Sequence, residues 1–415
     1  MEVSVIAIGD ELLIGQVVDT NSGEIARHIA PYGWEVVYVQ VVADDANEIR
    51  CAIDRAFERT KVVLTTGGLG PTKDDITKAV LCDIFGGELV EDASVLANVM
   101  EVVSRRGLKL NELTAAQAIV PTSCRVIQNR VGTAPLMWFD SGRGTLVAMP
   151  GVPFETREMF STEVFPQLLQ NYPSHEAVEH RTLIAANITE SDLATRLAPW
   201  EEALPSWAHL AYLPKPGIIR LRIDGHLANK EVLSAKIDEL AIQLAELCGD
   251  NLIATSDESI ARILLNELMA QGMTIATAES CTGGNIAHEI TLEPGSSAAM
   301  LGGVVSYSNS VKTGLLGVNP DSINRHGAVS REVVEQMALG VCIATGADVS
   351  IATSGIAGPG GAVDGKPVGT VWIAVAVKGK VNAELFHFPG TRDRVIERAT
   401  SMGLLLALTA IRNTK

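Results

Sequence analysis

The sequence predicts an α/β protein built on parallel sheets, and three observations predict it. Residues 3–8 (VSVIAI), 36–42 (VVYVQVV) and 62–66 (VVLTT) are apolar almost throughout, as strands buried on both faces must be. Ile49, Ala52, Ile53, Ala56 and Phe57 recur at helical spacing between two of these runs. Strands and helices then alternate, which gives parallel strands joined by right-handed crossovers.

The elements follow in order. The first strand ends at Gly9, and Asn21 is placed to cap a helix that carries Ile25 and Ile29. A further strand, 145–149 (TLVAM), runs into Pro150-Gly151-Val152-Pro153 and completes a first domain over 1–170. Residues 171–180 (NYPSHEAVEH) are polar and aperiodic and read as a linker. Strand 182–186, a helix opened by Thr189-Glu190-Ser191-Asp192, strand 218–223 and helix 229–247 form a small α+β unit within 171–255. The third domain, 256–415, contains helix 258–271, strand 273–278 and a Gly-rich turn leading into a helix. Helix 330–345, strand 349–353, adjacent antiparallel strands 369–377 and 381–388, and a helix from 392 complete it.

Bulk composition bounds the function. The 415 residues are 47% hydrophobic and 20% charged, a globular balance. Forty-nine acidic against 33 basic side chains give a net charge of −16, which repels nucleic-acid backbones but leaves room for a small phosphorylated ligand. Six scattered cysteines without a CxxC pair suit reduced, cytoplasmic thiols. The N-terminus lacks a basic, cleavable leader, and no apolar run reaches the ~18 residues a membrane span needs.

The most informative segment is Ala278-Glu279-Ser280-Cys281-Thr282-Gly283-Gly284, between a strand and a helix. The first N–H groups of a helix have no internal partner, so Thr282, Gly283 and Gly284 are expected to offer them to a phosphate or an oxyanion. Ser280 on this turn is a candidate nucleophile, or simply a helix cap. Ser306-Tyr307-Ser308-Asn309-Ser310-Val311-Lys312 ends another apolar strand. Lys312 becomes a base if burial lowers its pKa, and Tyr307 can position a substrate or relay a proton; each equally suits a surface or core-edge role. A second Gly-rich loop, Ser354-Gly355-Ile356-Ala357-Gly358-Pro359-Gly360-Gly361, follows strand 349–353, where open α/β sheets bind ligands. Gly390-Thr391-Arg392-Asp393-Arg394 opens the last helix, and Arg392 or Arg394 can grip a phosphate or merely start a solvated helix.

The first domain carries a comparable set. Asp10 and Glu11 follow Gly9, Asn21 opens the next helix, and Asp44 and Asp45 follow strand 36–42. Gly67, Gly68, Gly70, Thr72, Asp74 and Asp75 follow strand 62–66, and Pro150, Gly151 and Glu155 follow strand 145–149. Glycines and helix starts make an anion cradle here too, and Asp74 and Asp75 either stabilise a helix start or hold a Mg²⁺-like cation.

AESCTGG, VSYSNxxK, TSGIAGPGG, KPVGTVW and GxRDxVxxRA, in this order, resemble the nicotinamide mononucleotide deamidase domain of the CinA (competence/damage-inducible protein A) family. GGLGPTxDD with MPGVPxE resembles that family's variant of the molybdopterin-binding, MoaB/MogA-like fold, and the middle unit resembles its KH-like domain, although no GxxG loop occurs in 180–250. The resemblance implies hydrolysis of the carboxamide to the acid mononucleotide and ammonia, with Ser280 as nucleophile, Lys312 as partner, Tyr307 nearby and no cofactor in that domain. For the first domain it implies pterin-phosphate recognition or metal-dependent cleavage of ADP-ribose, the latter favoured; it also implies a homodimer. The competing expectations are a protein working on a molybdopterin intermediate and a non-enzymatic competence or DNA-repair accessory.

Overall fold

The computed structural model describes residues 1–72, 75–173 and 177–414. Its strands are β1 (Glu2–Ile8), β2 (Glu35–Val42), β3 (Val62–Thr66), β4 (Leu89–Glu91), β5 (Ile119–Pro121), β6 (Arg125–Ile127), β7 (Leu136–Ser141) and β8 (Gly144–Met149), then β9 (Ala177–Ala186), β10 (Ala208–Lys215), β11 (Ile218–Leu227) and β12 (Leu252–Ala254). The last five are β13 (Ile275–Glu279), β14 (Met300–Val305), β15 (Val349–Gly355), β16 (Thr370–Val377) and β17 (Lys380–His387). Two compact units result, Met1–His180 with Asp224–Ile237, and Arg181–Ile223 with Asp238–Lys415, and each is described by itself.

In the first unit, β2, β1, β3 and β8 run parallel, and β7 and β6 add antiparallel strands in the order β2-β1-β3-β8-β7-β6. β1 and β3 need their continuous apolar runs because both their faces are covered; β2, expected to be buried on both faces, is instead an edge strand that exposes Val37 and Val39. Ile6, Ile8, Val63 and Leu146 pack under Ile49, Ile53 and Phe57 of helix Ala46–Arg59. Val3, Val5, Leu64 and Val147 face Ile25, Ile29, Phe160 and Leu168 on the other side. Asp45 starts the Ala46–Arg59 helix by accepting from the N–H groups of Asn47 and Glu48. Asn21 does not cap: it is the first residue of helix Asn21–Ile29, Thr20 holds the cap position, and Asn21 Nδ2 donates to Gly151 O at 2.9 Å.

Residues 177–180 of the expected linker belong to β9 instead, because alternation continues through Val178. The middle sheet runs β10-β11-β9-β12. Thr189 caps helix Glu190–Glu201 through the Asp192 N–H.

The C-terminal sheet runs β14-β13-β15-β16-β17, with β14, β13 and β15 parallel and the last two antiparallel. One face is large: Ile275, Ile351 and Ile373 meet helices Ile260–Ala270 and Arg392–Arg412. The other is alanine (Ala276, Ala278, Ala352, Ala374), so helix Arg331–Thr345 lies close against it through Val334, Met337 and Val341. Register sets the site. Glu279 is level with Val305 on β14 and Thr353 on β15. The next residues, Ser280, Ser306 and Ser354, therefore come side by side at the carboxyl edge. Among the described residues no helix is long and apolar enough to cross a membrane.

Candidate active site

Ser280 N–H donates to Thr353 O (3.0 Å) and Ser306 N–H to Glu279 O (2.8 Å), so all three strand ends are laced together. Ser308 then caps helix Asn309–Leu316, whose first turn carries Lys312 back under the strand ends. Lys312 is 1% exposed and Ser280 9%. Lys312 Nζ lies 3.1 Å from Ser280 Oγ and donates to Ser306 O (2.5 Å), with Tyr307 O at 3.4 Å. Among the described residues it has no carboxylate partner. Burial pushes its pKa down from the ordinary value, with a small opposing pull from Cys281. The acceptors around the amine, Ser280 Oγ and the carbonyls of Ser306 and Tyr307, are all neutral.

Ser280, Cys281, Tyr307, Lys312, Ser354, Gly355 and Arg392 line a cavity of about 210 Å³, closed on one side by Ala328 and Val329. Ser354 Oγ donates to Ala328 O (2.7 Å) and Lys366 Nζ to His326 O and Val329 O (2.8 Å each), which fixes that wall. Arg392 spans the mouth: Nη1 donates to Gly358 O (2.8 Å) and Nη2 to Tyr307 Oη (3.3 Å). Burial pushes the Cys281 thiol up to about 12, so beside Ser280 it stays protonated.

Several expectations need correction. The helix after the Gly-rich turn does not offer its N–H groups to a ligand. The carboxylate of Glu279, fully buried, already accepts from Gly284 N–H (3.0 Å), Ile286 N–H (3.0 Å) and Ala287 N–H (2.9 Å). Thr282 is spent the same way, on Glu279 (2.7 Å) and Thr353 Oγ1 (2.7 Å). Gly283 and Gly284 have φ of +65° and +100° and shape the turn; neither lines the cavity. Gly355 lines it, and a Cβ there would stand 2.7 Å from Val371 Cγ2 and 2.8 Å from Thr370 O. Gly358 contributes the carbonyl that holds Arg392 rather than a wall. Arg394 lies in a different cavity, with Arg398 and Lys215. Glu279 and Ser306 went unassigned in the sequence because a side chain's direction is not written in its motif.

In the N-terminal unit a cavity of about 450 Å³ opens at the carboxyl ends of β1, β2, β3 and β8. Glu11, Asp44, Gly67, Gly68, Gly70, Asp75, Pro150, Gly151 and Glu155 line it as expected, joined by Gln117, Thr133 and Ala134, a stretch without a sequence signal. Gly67 must be glycine: its φ is +102° and a Cβ would sit 2.0 Å from Ile8 O. Asp10 and Asp44 exchange bonds, Asp10 N–H to Asp44 (3.1 Å) and Asp44 N–H to Asp10 (3.3 Å). Burial first, then the charges of Asp10, Glu11 and Asp75, push the Asp44 pKa up. Asn129, missed in the sequence, anchors Glu155 (2.8 Å). Asn21 serves from behind, through Gly151.

Asp74 lies outside the described residues. Asp75 is turned into its own loop, accepting from Gly70 N–H (2.7 Å), Thr72 N–H (2.9 Å) and the Thr72 hydroxyl, so Thr72 does not line the cavity. Among the described residues no three ligating side chains are grouped to hold a metal ion.

Two α/β units thus carry cavities at the carboxyl ends of parallel strands, one of them beside a serine–lysine pair. Residues 257–411 match the CinA C-terminal domain, and residues 4–170 the "Probable molybdopterin binding domain". A CinA-like protein of Flavobacterium psychrophilum is 37% identical over 406 residues, 97% of each chain. One of Gemmatimonas aurantiaca is 40% identical over 407 residues, 97% of this chain and 95% of that one. A crystal structure of a CinA-superfamily protein from Klebsiella pneumoniae covers 38% of this chain and 99% of its own, at 33% identity and TM-score 0.36. The chain belongs to the CinA family.

Proposed function

We propose that the C-terminal domain hydrolyses the carboxamide of nicotinamide mononucleotide to the acid mononucleotide and ammonia. The observation that carries this reading is the buried Lys312 amine, without a carboxylate partner among the described residues, 3.1 Å from Ser280 Oγ at the wall of a cavity. Neutral Lys312 takes the Ser280 proton as Oγ bonds to the carboxamide carbon. The backbone N–H of Cys281, the residue after the nucleophile, steadies the oxyanion. The C–N bond breaks as Lys312 returns its proton to the departing nitrogen, leaving an ester and ammonia. Water, deprotonated by Lys312, then cleaves the ester and restores Ser280. A cavity of about 210 Å³ is below the ~300 Å³ of ordinary ligand pockets, so it takes the pyridine carboxamide while ribose and phosphate pass Tyr307 toward Arg392. Ammonia release by the wild type and by Ser280→Ala tests this: equal release, or none from the wild type, defeats it.

For the N-terminal half the roomier 450 Å³ cavity supports a nucleotide, and the resemblance points to cleavage of ADP-ribose. Its wall is acidic, and Mg²⁺ is commonly held by one or two carboxylates together with substrate phosphates. Magnesium-bound ADP-ribose is therefore the form to assay, against molybdopterin binding as the competing outcome. The six free thiols support a reducing, cytoplasmic setting.

A further inference from the structure

The motif that opens the last helix carries more arginine than the Ser280 cavity uses. Arg392 reaches that cavity; Arg394 and Arg398 do not. One helical turn apart, they share a face, and with Lys215 they border a separate cavity of about 610 Å³ under the Pro214–Gly217 turn. That turn rests on the same helix: a Cβ at Gly217 would stand 3.4 Å from Leu405 Cδ1 and 3.7 Å from Ser401 Cβ. The arginines are pre-set. The Arg394 stem lies against Gly390, where a Cβ would meet it at 3.3 Å, and Arg398 Nη1 donates to Pro389 O (2.9 Å). Among the described residues Lys215, Arg394 and Arg398 make no ion pair, although Glu397 stands beside them. Three unpaired cations around one hollow are out of keeping with a chain of net charge −16. A second hollow of about 720 Å³ shares Pro214, Lys215 and Gly217 and adds an apolar wall of Ile188, Ile218 and Met402, with Glu190, Asp192 and Arg196 on its remaining side.

We propose that this double hollow is a second ligand site, distinct from Ser280, that takes a nucleoside polyphosphate. Lys215, Arg394 and Arg398 hold the phosphates, and the base lies against the apolar wall. The site needs no metal and stands whether or not the deamidase reading does.

Calorimetric titration of the full chain with ATP in EDTA tests it. Saturable binding that weakens at least tenfold in the Lys215→Ala/Arg394→Ala double variant, and separately in Arg398→Gln, is expected. Inorganic pyrophosphate binds more weakly than ATP if the base is held. Unchanged ATP affinity in the variants, no saturable binding by the wild type, or pyrophosphate binding as tightly as ATP overturns the proposal. Both altered side chains of the double variant are exposed, and a thermal melt matching the wild type shows that it folds. A tenfold rise in its KM for nicotinamide mononucleotide assigns the arginines to the Ser280 site and also overturns the proposal.

Discussion

Lys312 Nζ and Ser280 Oγ meet at 3.1 Å although 32 residues separate them, and the fold brings them together by two independent devices. Register between β13, β14 and β15 brings Ser280 beside Ser306. The helix that begins after Ser308 then returns Lys312 beneath both, where Ser306 O takes a second bond from the amine. A buried lysine without a carboxylate is costly to keep, because desolvation penalises its charged form. A site that keeps one holds an amine that gives up its proton at a lower pH than an exposed lysine does.

Removing either partner separates catalysis from folding. Ser280→Ala and Lys312→Met should each lower kcat for ammonia release by about 10³-fold or more. Lys312→Met should fold as well as the wild type, since it replaces a desolvated amine with an apolar chain of similar length. Lys312→Arg should not restore activity, because guanidinium does not deprotonate. A Lys312→Met protein that keeps more than a tenth of the wild-type rate removes the amine from the mechanism.

The lowered Lys312 pKa fixes the sign of two pH effects. The base must be neutral, so kcat/KM should rise with pH through the lowered pKa and then level off. Between that value and the ordinary 10.5 the unfolded chain holds more protons on this residue than the folded one. Stability should therefore rise with pH across that window, the burial penalty being fully present below it. Denaturation midpoints measured across the range should show the rise in the wild type and lack it in Lys312→Met.

Much of this arrangement is legible before folding, and the misses have physical causes. Buried parallel strands are apolar on both faces, so β1, β3, β13 and β15 stand out, whereas β2 is equally apolar in sequence yet exposes Val37 and Val39 at the sheet edge. The weak elements are those whose faces differ. In β7 (LMWFDS) burial ends at Phe139, and β10 (AHLAYLPK) buries only Leu210, so neither keeps a clean period. Polar group destinations are the other gap. Asn21 at a helix start looks like a cap, yet a residue from 130 positions away claims its amide. The helix after Gly284 looks like an empty anion site, yet Glu279 already fills it.

That filling makes Glu279 a structural test. Its carboxylate accepts three backbone N–H groups and the Thr282 hydroxyl inside a fully buried site. Glu279→Ala leaves those donors without partners and should cost roughly 3 kcal/mol. Glu279→Gln turns an NH₂ toward N–H donors and should lose stability as well. Chemical denaturation reads both, and a loss below about 1 kcal/mol for the alanine variant means water replaces the carboxylate.

Asp44 tests the N-terminal cavity. Burial and the neighbouring Asp10, Glu11 and Asp75 push its pKa up, so the folded chain holds its proton more tightly than the unfolded chain. That contribution to stability is present at acid pH and is lost as pH rises through the raised pKa. Asp44→Asn removes one of the crowded charges and should be more stable than the wild type at pH 7. If the acidic wall accepts magnesium-bound ADP-ribose, the same substitution should weaken its binding about tenfold and leave metal-free ADP-ribose binding unchanged or improved. Titrations with and without Mg²⁺ separate the cases. A wild type that binds ADP-ribose equally well with and without the cation means the carboxylates serve the fold rather than the ligand.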